Sequence, residues 1–263
     1  MRILSALIAA LALPVTAQAL DAGAIRGGWV SEGGPTQVYL LIVRGDVVTG
    51  THCVDCARPQ NLGFIEGRID ADGAHFAIRH DAAGRTTVDE VRGVVKDGEL
   101  VLTVQRRGAG AQPRTLTLHR PARPAAAGPP PGPRPRVEYV LPGPAQPLTP
   151  GKLLGLWLFG GGPGKQYFII RQADDKLLGM VCGPCDNPWS MAPLDGFEIH
   201  GTDLRFNIVH EDTGGADVHG PFSNVAHATL ARNELHLKVI PSYAPPDTTP
   251  IEMTLLGPVT FRP

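Results

Sequence analysis

The order Trp29, Gly33-Gly34-Pro35, Tyr39, Cys53-Val54-Asp55-Cys56, Glu66-Gly67, His80 returns later in the chain as Trp157, Gly161-Gly162-Pro163, Tyr167, Cys182-Gly183-Pro184-Cys185, Asp195-Gly196, His210. The second copy follows the first by 128 residues at the tryptophans (Trp29 to Trp157), by 129 at the first cysteines (Cys53 to Cys182) and by 130 at the histidines (His80 to His210). Two copies of one fold, with loops of slightly different length, produce such a slow drift. The spacing far exceeds the roughly 20–50 residues of a solenoid repeat, so each copy is expected to be a whole domain.

Inside each copy the hydrophobic period is two. Val38-Tyr39-Leu40-Leu41-Ile42-Val43, His75-Phe76-Ala77-Ile78, Leu100-Val101-Leu102-Thr103-Val104 and Thr115-Leu116-Thr117-Leu118 are strand-like in the first copy. The second answers with Gln166-Tyr167-Phe168-Ile169-Ile170, Leu204-Arg205-Phe206-Asn207-Ile208-Val209, Leu235-His236-Leu237-Lys238-Val239 and Ile251-Glu252-Met253-Thr254-Leu255. Arg44-Gly45-Asp46, Asp72-Gly73, Lys96-Asp97-Gly98-Glu99 and Arg232-Asn233-Glu234 separate them as turns. No segment of helical length carries an apolar stripe. Short strands joined by hairpin turns predict an all-β, antiparallel meander. Closure into a small barrel would remove its exposed edges.

Residues 121–150 lie between the copies and hold Pro129-Pro130-Pro131, Pro133, Pro135, Pro142, Pro144 and Pro147. Proline lacks an N–H and fixes φ, so this stretch is expected to be an extended linker. Val137-Glu138-Tyr139-Val140 interrupts it with strand-like residues that can pack back on one domain. The predicted organisation is a leader over 1–19, a barrel over 20–120, the linker over 121–150 and a second barrel over 151–263.

The leader is Met1-Arg2, an apolar run over 3–15 and Ala17-Gln18-Ala19. These are the parts of a secretory signal peptide, and the run is shorter than the ~20 residues of a membrane-spanning helix. The expected product is not transmembrane and is periplasmic or secreted; rich use of Ala, Gly, Pro and Arg favours a bacterial periplasm. A formal net charge of −1 predicts no affinity for nucleic acid. Arg106, Arg107, Arg114, Arg120, Arg123, Arg134 and Arg136 occur without an intervening acid. This stretch is either a weak contact for an anionic surface or a solvated linker.

Gly27-Gly28-Trp29 and Gly155-Leu156-Trp157 each stand at the start of a meander. In this the chain resembles lipocalins and related calycin barrels, whose first strand carries Gly-x-Trp, and lipocalin-like domains of exported bacterial proteins. The resemblance implies a basic residue from the last strand packed across each tryptophan, with Arg120 and Arg262 in the matching places. It also implies a barrel that binds a small apolar or amphipathic ligand, for which Trp29, Tyr39, Trp157 and Tyr167 are the candidate residues. It implies no catalytic group.

The four cysteines form two C-x-x-C pairs, each after a strand ending in glycine. Three chemistries compete. In an oxidising compartment, Cys53–Cys56 and Cys182–Cys185 would be local disulfides. As thiolates they would suit a tetrahedral zinc site, although the pairs stand far beyond the usual 12–20 residues apart, so the two domains would have to dock loop to loop. A redox role would use Cys182-Gly183-Pro184-Cys185, but Asp186-Asn187-Pro188-Trp189 follows where a helix would be needed to lower the thiol pKa.

His80 and His210 recur at equivalent strand ends, His52 adjoins Cys53, and Met180 and Met191 flank the second pair. Imidazole with soft sulfur is a ligand set for zinc or copper; as strand-end and core residues the same side chains need no cofactor. No phosphate-binding loop and no nucleophile with a placed base occurs, so enzymatic chemistry is not indicated. The expectation is a binding protein for a small ligand or an envelope partner, with a metal-binding module second and a thiol–disulfide protein third.

Overall fold

The computed structural model describes residues 22–122 and 140–259, except 34, 55, 57–60, 83–84, 109, 161–164, 174, 184, 186, 211–221 and 246. The leader, the triple-proline part of the linker, Arg123, Arg134, Arg136 and Arg262 lie outside the described residues. The first half runs α1 (Ala22–Ile25), β1 (Gly27–Ser31), β2 (Gln37–Arg44), β3 (Val47–Val54), β4 (Leu62–Asp70), β5 (Gly73–Ala82), β6 (Arg85–Lys96), β7 (Glu99–Arg106) and β8 (Arg114–His119). The second runs α2 (Pro150–Leu153), β9 (Gly155–Phe159), β10 (Gln166–Ala173), β11 (Lys176–Cys182), a 3-10 turn (Pro188–Ser190), β12 (Met191–His200), β13 (Asp203–His210), β14 (Phe222–Ala231), β15 (Glu234–Pro241) and β16 (Ile251–Val259).

Each half is a closed, eight-stranded antiparallel barrel. Every strand pairs with its neighbours in sequence, and closure comes from β1 on β8 and from β9 on β16. The tight turns follow local chemistry. Between β6 and β7, Asp97 and Gly98 both take positive φ, 54° and 84°, as a two-residue hairpin turn requires.

Alternate residues point inward and fill the barrels. Tyr39, Leu41, Ile65, Phe76, Ile78, Leu100 and Leu102 pack the first; Phe168, Ile170, Phe206, Leu235, Leu237 and Leu255 pack the second. Trp29 and Trp157 are buried, and each is tied to the single helical turn before its strand. Trp29 Nε1 donates to the carbonyl of Ile25 at 2.7 Å, and Trp157 Nε1 to that of Leu153 at 2.8 Å. These turns were too short for a helical stripe to reveal. Arg120 lies across Trp29, 3.7 Å from the ring centroid, and donates to the carbonyls of Ala24, Arg26 and Gly28. In the second barrel Pro258 packs at Gly155, the equivalent of Gly27 where Arg120 packs in the first.

The end of the linker belongs to the second barrel. Gln146 N–H donates to the carbonyl of Leu230 and Leu148 N–H to that of Gly201, both at 2.8 Å, and the Leu148 side chain joins the core.

The barrels touch through one outer face each. Val38, Leu40, Cys53, Cys56, Leu62 and Phe64 of the first form one buried apolar cluster with Leu156, Ile169, Met180, Cys182, Cys185 and Met191 of the second. Arg44 and Asp195 close its rim with an ion pair at 3.1 Å. On β4–β7 the outer wall is polar, with Glu66, Arg68, His75, Glu90, Arg92 and Gln105.

Candidate functional site: a polar mouth in the first barrel

Cys53–Cys56 and Cys182–Cys185 are disulfides, and no described cysteine is free. They stand at the barrel contact, where Cys53 and Cys182 are fully buried. The docking that a shared metal would have demanded therefore exists, but the sulfurs meet there as disulfides and not as thiolates.

Strand register places the tyrosines differently from their apparent sequence match. Trp29 pairs with Tyr39, and Tyr39 with His52; Trp157 pairs with Phe168, and Phe168 with Val181. Tyr39 is thus equivalent to Phe168. Tyr167 is equivalent to Val38, each opposite a cysteine, Cys182 and Cys53. A one-residue slip exchanges the two faces of a strand. Tyr39 enters the lumen of its barrel, whereas Tyr167 packs on the inter-barrel cluster with Lys165 Nζ 5.1 Å from its ring.

Around Tyr39 the first barrel gathers polar groups on its inward face: Gln37, His52, His80, Asp89, Arg106 and Arg114. Tyr39 Oη donates to Gln37 Oε1 at 3.2 Å, and His52 Nε2 lies 3.2 Å from the same oxygen. A carbonyl oxygen only accepts, so His52 carries its proton on Nε2. Its Nδ1 then accepts from His80 Nε2 at 3.3 Å. Gly63 makes room for this pair: a Cβ there would fall 2.5 Å from the His80 ring. Next to them Arg106 holds Asp89 through both carboxylate oxygens.

Burial decides the charge states. It pushes His52 down to about 3, helped by neighbouring His80, so this imidazole is neutral. It raises Tyr39, which stays a phenol. Burial acts to raise Asp89 as well, but the Arg106 hydrogen bond and charge, with His80 and Arg114, leave it below the usual carboxylate range.

The remaining sequence candidates are scattered. His210 bonds Asn224 at 3.2 Å in the second barrel, and Met180 lies in the inter-barrel cluster. Only His52 and His80 of that proposed metal set come together, and two imidazoles do not complete a four-coordinate site. Among the described residues no three His, Cys, Asp or Glu side chains are placed to hold a metal ion. Of the arginine-rich stretch, Arg106 and Arg107 pair with Asp89 and Glu90 and Arg120 covers Trp29.

Gln37 and Asp89 were missed in the sequence, and Arg106 and Arg114 were read there only as part of an arginine-rich stretch, although a signal was there. The second barrel has Gln166, Phe168, Val181, His210, Asn224, Pro241 and Ile251 at the positions of Gln37, Tyr39, His52, His80, Asp89, Arg106 and Arg114. This follows from the chains of paired residues Ile78–Asp89–Arg106 against Ile208–Asn224–Pro241, and Val104–Arg114 against Val239–Ile251. At these positions the first copy carries charged side chains, and the second, among the described residues, does not.

Two further grooves lie on outer walls. One of about 550 Å³ on the second barrel is lined by Leu141, Asp203, His227, His236, Lys238 and Glu252, and one of about 790 Å³ crosses β4–β7 of the first. Neither includes a residue of the polar mouth.

The fold and site define a tandem β-barrel protein with one differentiated mouth. No described protein family matches the chain, and no curated protein matches it. A solved structure from Bacteroides fragilis, described as a candidate outer membrane protein, is similar over 90% of this chain and 99% of its own. The identity is 11% and the TM-score 0.28, a likeness too slight to carry an argument.

Proposed function

We propose that this is an exported, non-catalytic binding protein of lipocalin-like type, in which the mouth of the first barrel receives a small amphipathic ligand and the second barrel is its docked scaffold. The leader sequence supports export to the periplasm or beyond, and the closed disulfides fit an oxidising compartment. Arg120 across Trp29 supports the calycin resemblance.

The observation that carries the binding reading is the difference between the two mouths. Desolvating polar and charged groups opposes folding unless they are fully partnered. The second barrel closes with Phe168, Val181, Pro241 and Ile251 at four of these places, so the fold itself does not call for the polar set. Both lumens below are filled by side chains, which makes the site shallow and places it at the rim.

The test is native mass spectrometry of the mature chain after incubation with an envelope extract, on the natural protein and on His52→Ala and His210→Ala variants. A retained small molecule lost with His52 and kept with His210 is the expected result. Retention that depends on His210, or no retention at all, would overturn the proposal.

A further inference from the structure

We propose that the ligand of the first barrel carries an acidic head group, a carboxylate or a phosphate, and that Arg114 receives it; this rests on the binding reading above. Arg114 opens β8 on the same face as Leu116 and Leu118, both packed against the first core, so it stands over the lumen and not on the outer wall. Its charge is felt by buried Tyr39, His52 and Asp89.

Two other cations nearby are already engaged. Arg106 is held by both oxygens of Asp89, and Arg107 by Glu90. Arg114 makes no direct ion pair among the described residues, and its side chain is exposed. Asp89, which also feels the charge of Arg114, is already held by Arg106. The matching residue of the second barrel is Ile251.

The geometry also says which donors remain. Tyr39 Oη and His52 Nε2 both spend their protons on Gln37 Oε1, and His80 Nε2 spends its own on His52. Tyr39, His52 and His80 therefore offer an anion no free O–H or N–H, and of this set the Gln37 amide alone keeps N–H donors, which carry no charge. A guanidinium offers a planar fork of N–H groups that matches a carboxylate or a phosphate. An acidic head would therefore stop at Arg114, beside the imidazole pair, with its apolar part at the rim.

The experiment is a titration of the mature, disulfide-intact chain with octanoate, octyl phosphate and octanol, followed by imidazole NMR signals and calorimetry. The two acidic probes should shift the His52 and His80 signals. Arg114→Met should weaken them by about tenfold or more, the loss of a charge-assisted contact. Arg114→Lys should retain part of the affinity, and Arg107→Met all of it. The stronger of the two acidic probes identifies the head group. If octanol binds as tightly as octanoate, or Arg114→Met changes nothing, the acidic head is wrong while the binding mouth stands. If none of the three probes moves either imidazole, both proposals fall.

Discussion

Cys53 Sγ lies 3.6 Å from the carbonyl oxygen of Cys185, so the disulfide of each barrel is part of the surface that the other barrel covers. The contact is built from equivalent positions on both sides. Leu40 answers Ile169, Cys53 answers Cys182, Cys56 answers Cys185 and Leu62 answers Met191. One outer face of the fold thus packs against its own copy, as in a two-fold dimer joined into one chain.

Separation of the barrels should expose that face. When residues 20–122 and 144–263 are produced as two chains, the second cut placed so that Gln146 and Leu148 stay with their barrel, each is expected to close its own barrel but to self-associate, and the mixture to form a one-to-one complex. Sedimentation velocity is the check. Two monodisperse monomers that ignore each other would show that the buried cluster contributes little to cohesion.

Each disulfide closes a very small ring, so its stabilisation is modest. Chain entropy for a loop of this size corresponds to about 2 kcal/mol. The double change Cys53→Ser and Cys56→Ser should cost about that much in chemical denaturation, and the corresponding change at Cys182 and Cys185 a similar amount. A change below the error of the measurement at both pairs would refute this account.

The floors of the barrels should cost more. Trp29→Ala and Trp157→Ala each remove a large, fully buried aromatic, for which the usual loss is ~3–5 kcal/mol. Arg120→Met should destabilise the first barrel by about 1–3 kcal/mol, since a cation–π contact and bonds to three carbonyls disappear together. Equal unfolding midpoints for Arg120→Met and the natural protein would mean that water replaces the guanidinium at no cost.

The strands, their turns and the duplication were legible in the sequence because each is local: a period of two, Asp97-Gly98 at a hairpin, repeated Gly-x-Trp. The barrel contact was also written there, in a less familiar form. A strand with one solvated face alternates, yet Val38-Tyr39-Leu40-Leu41-Ile42-Val43 is apolar on both faces, as is Tyr167-Phe168-Ile169-Ile170. Continuous apolar runs mark strands buried on both sides. What remained hidden was the mouth, because it depends on register. Matching Tyr39 to Tyr167 by residue type obscured the true pair, Tyr39 and Phe168, and with it the contrast between His52 and Val181. Asp89, Arg106 and Arg114 come from three strands and meet only once the barrel closes.

The buried imidazole gives the mouth a signature in pH. His52 is held at about 3 in the folded chain, mainly by burial and secondly by His80, whereas an unfolded histidine titrates near 6.5. Below ~6.5 the unfolded chain takes up a proton that the folded one refuses, so stability falls as pH drops from there towards 3. The slope approaches about 1.4 kcal/mol per pH unit for this one group. Asp89 acts in a different window. Its folded pKa is depressed, so its contribution is present above the ordinary carboxylate value near 3.9 and is lost as pH falls through the lower folded value. His236 is also lowered by burial, and it contributes in the same direction as His52. The difference between the natural protein and His52→Gln isolates the first group. Thermal midpoints recorded from pH 7 to 4, a range above the window of Asp89, should decline less steeply in the variant. Parallel curves across that range would mean that His52 is protonated within the folded barrel, and the hydrogen-bond chain from Tyr39 through Gln37 to His80 would have to be reassigned.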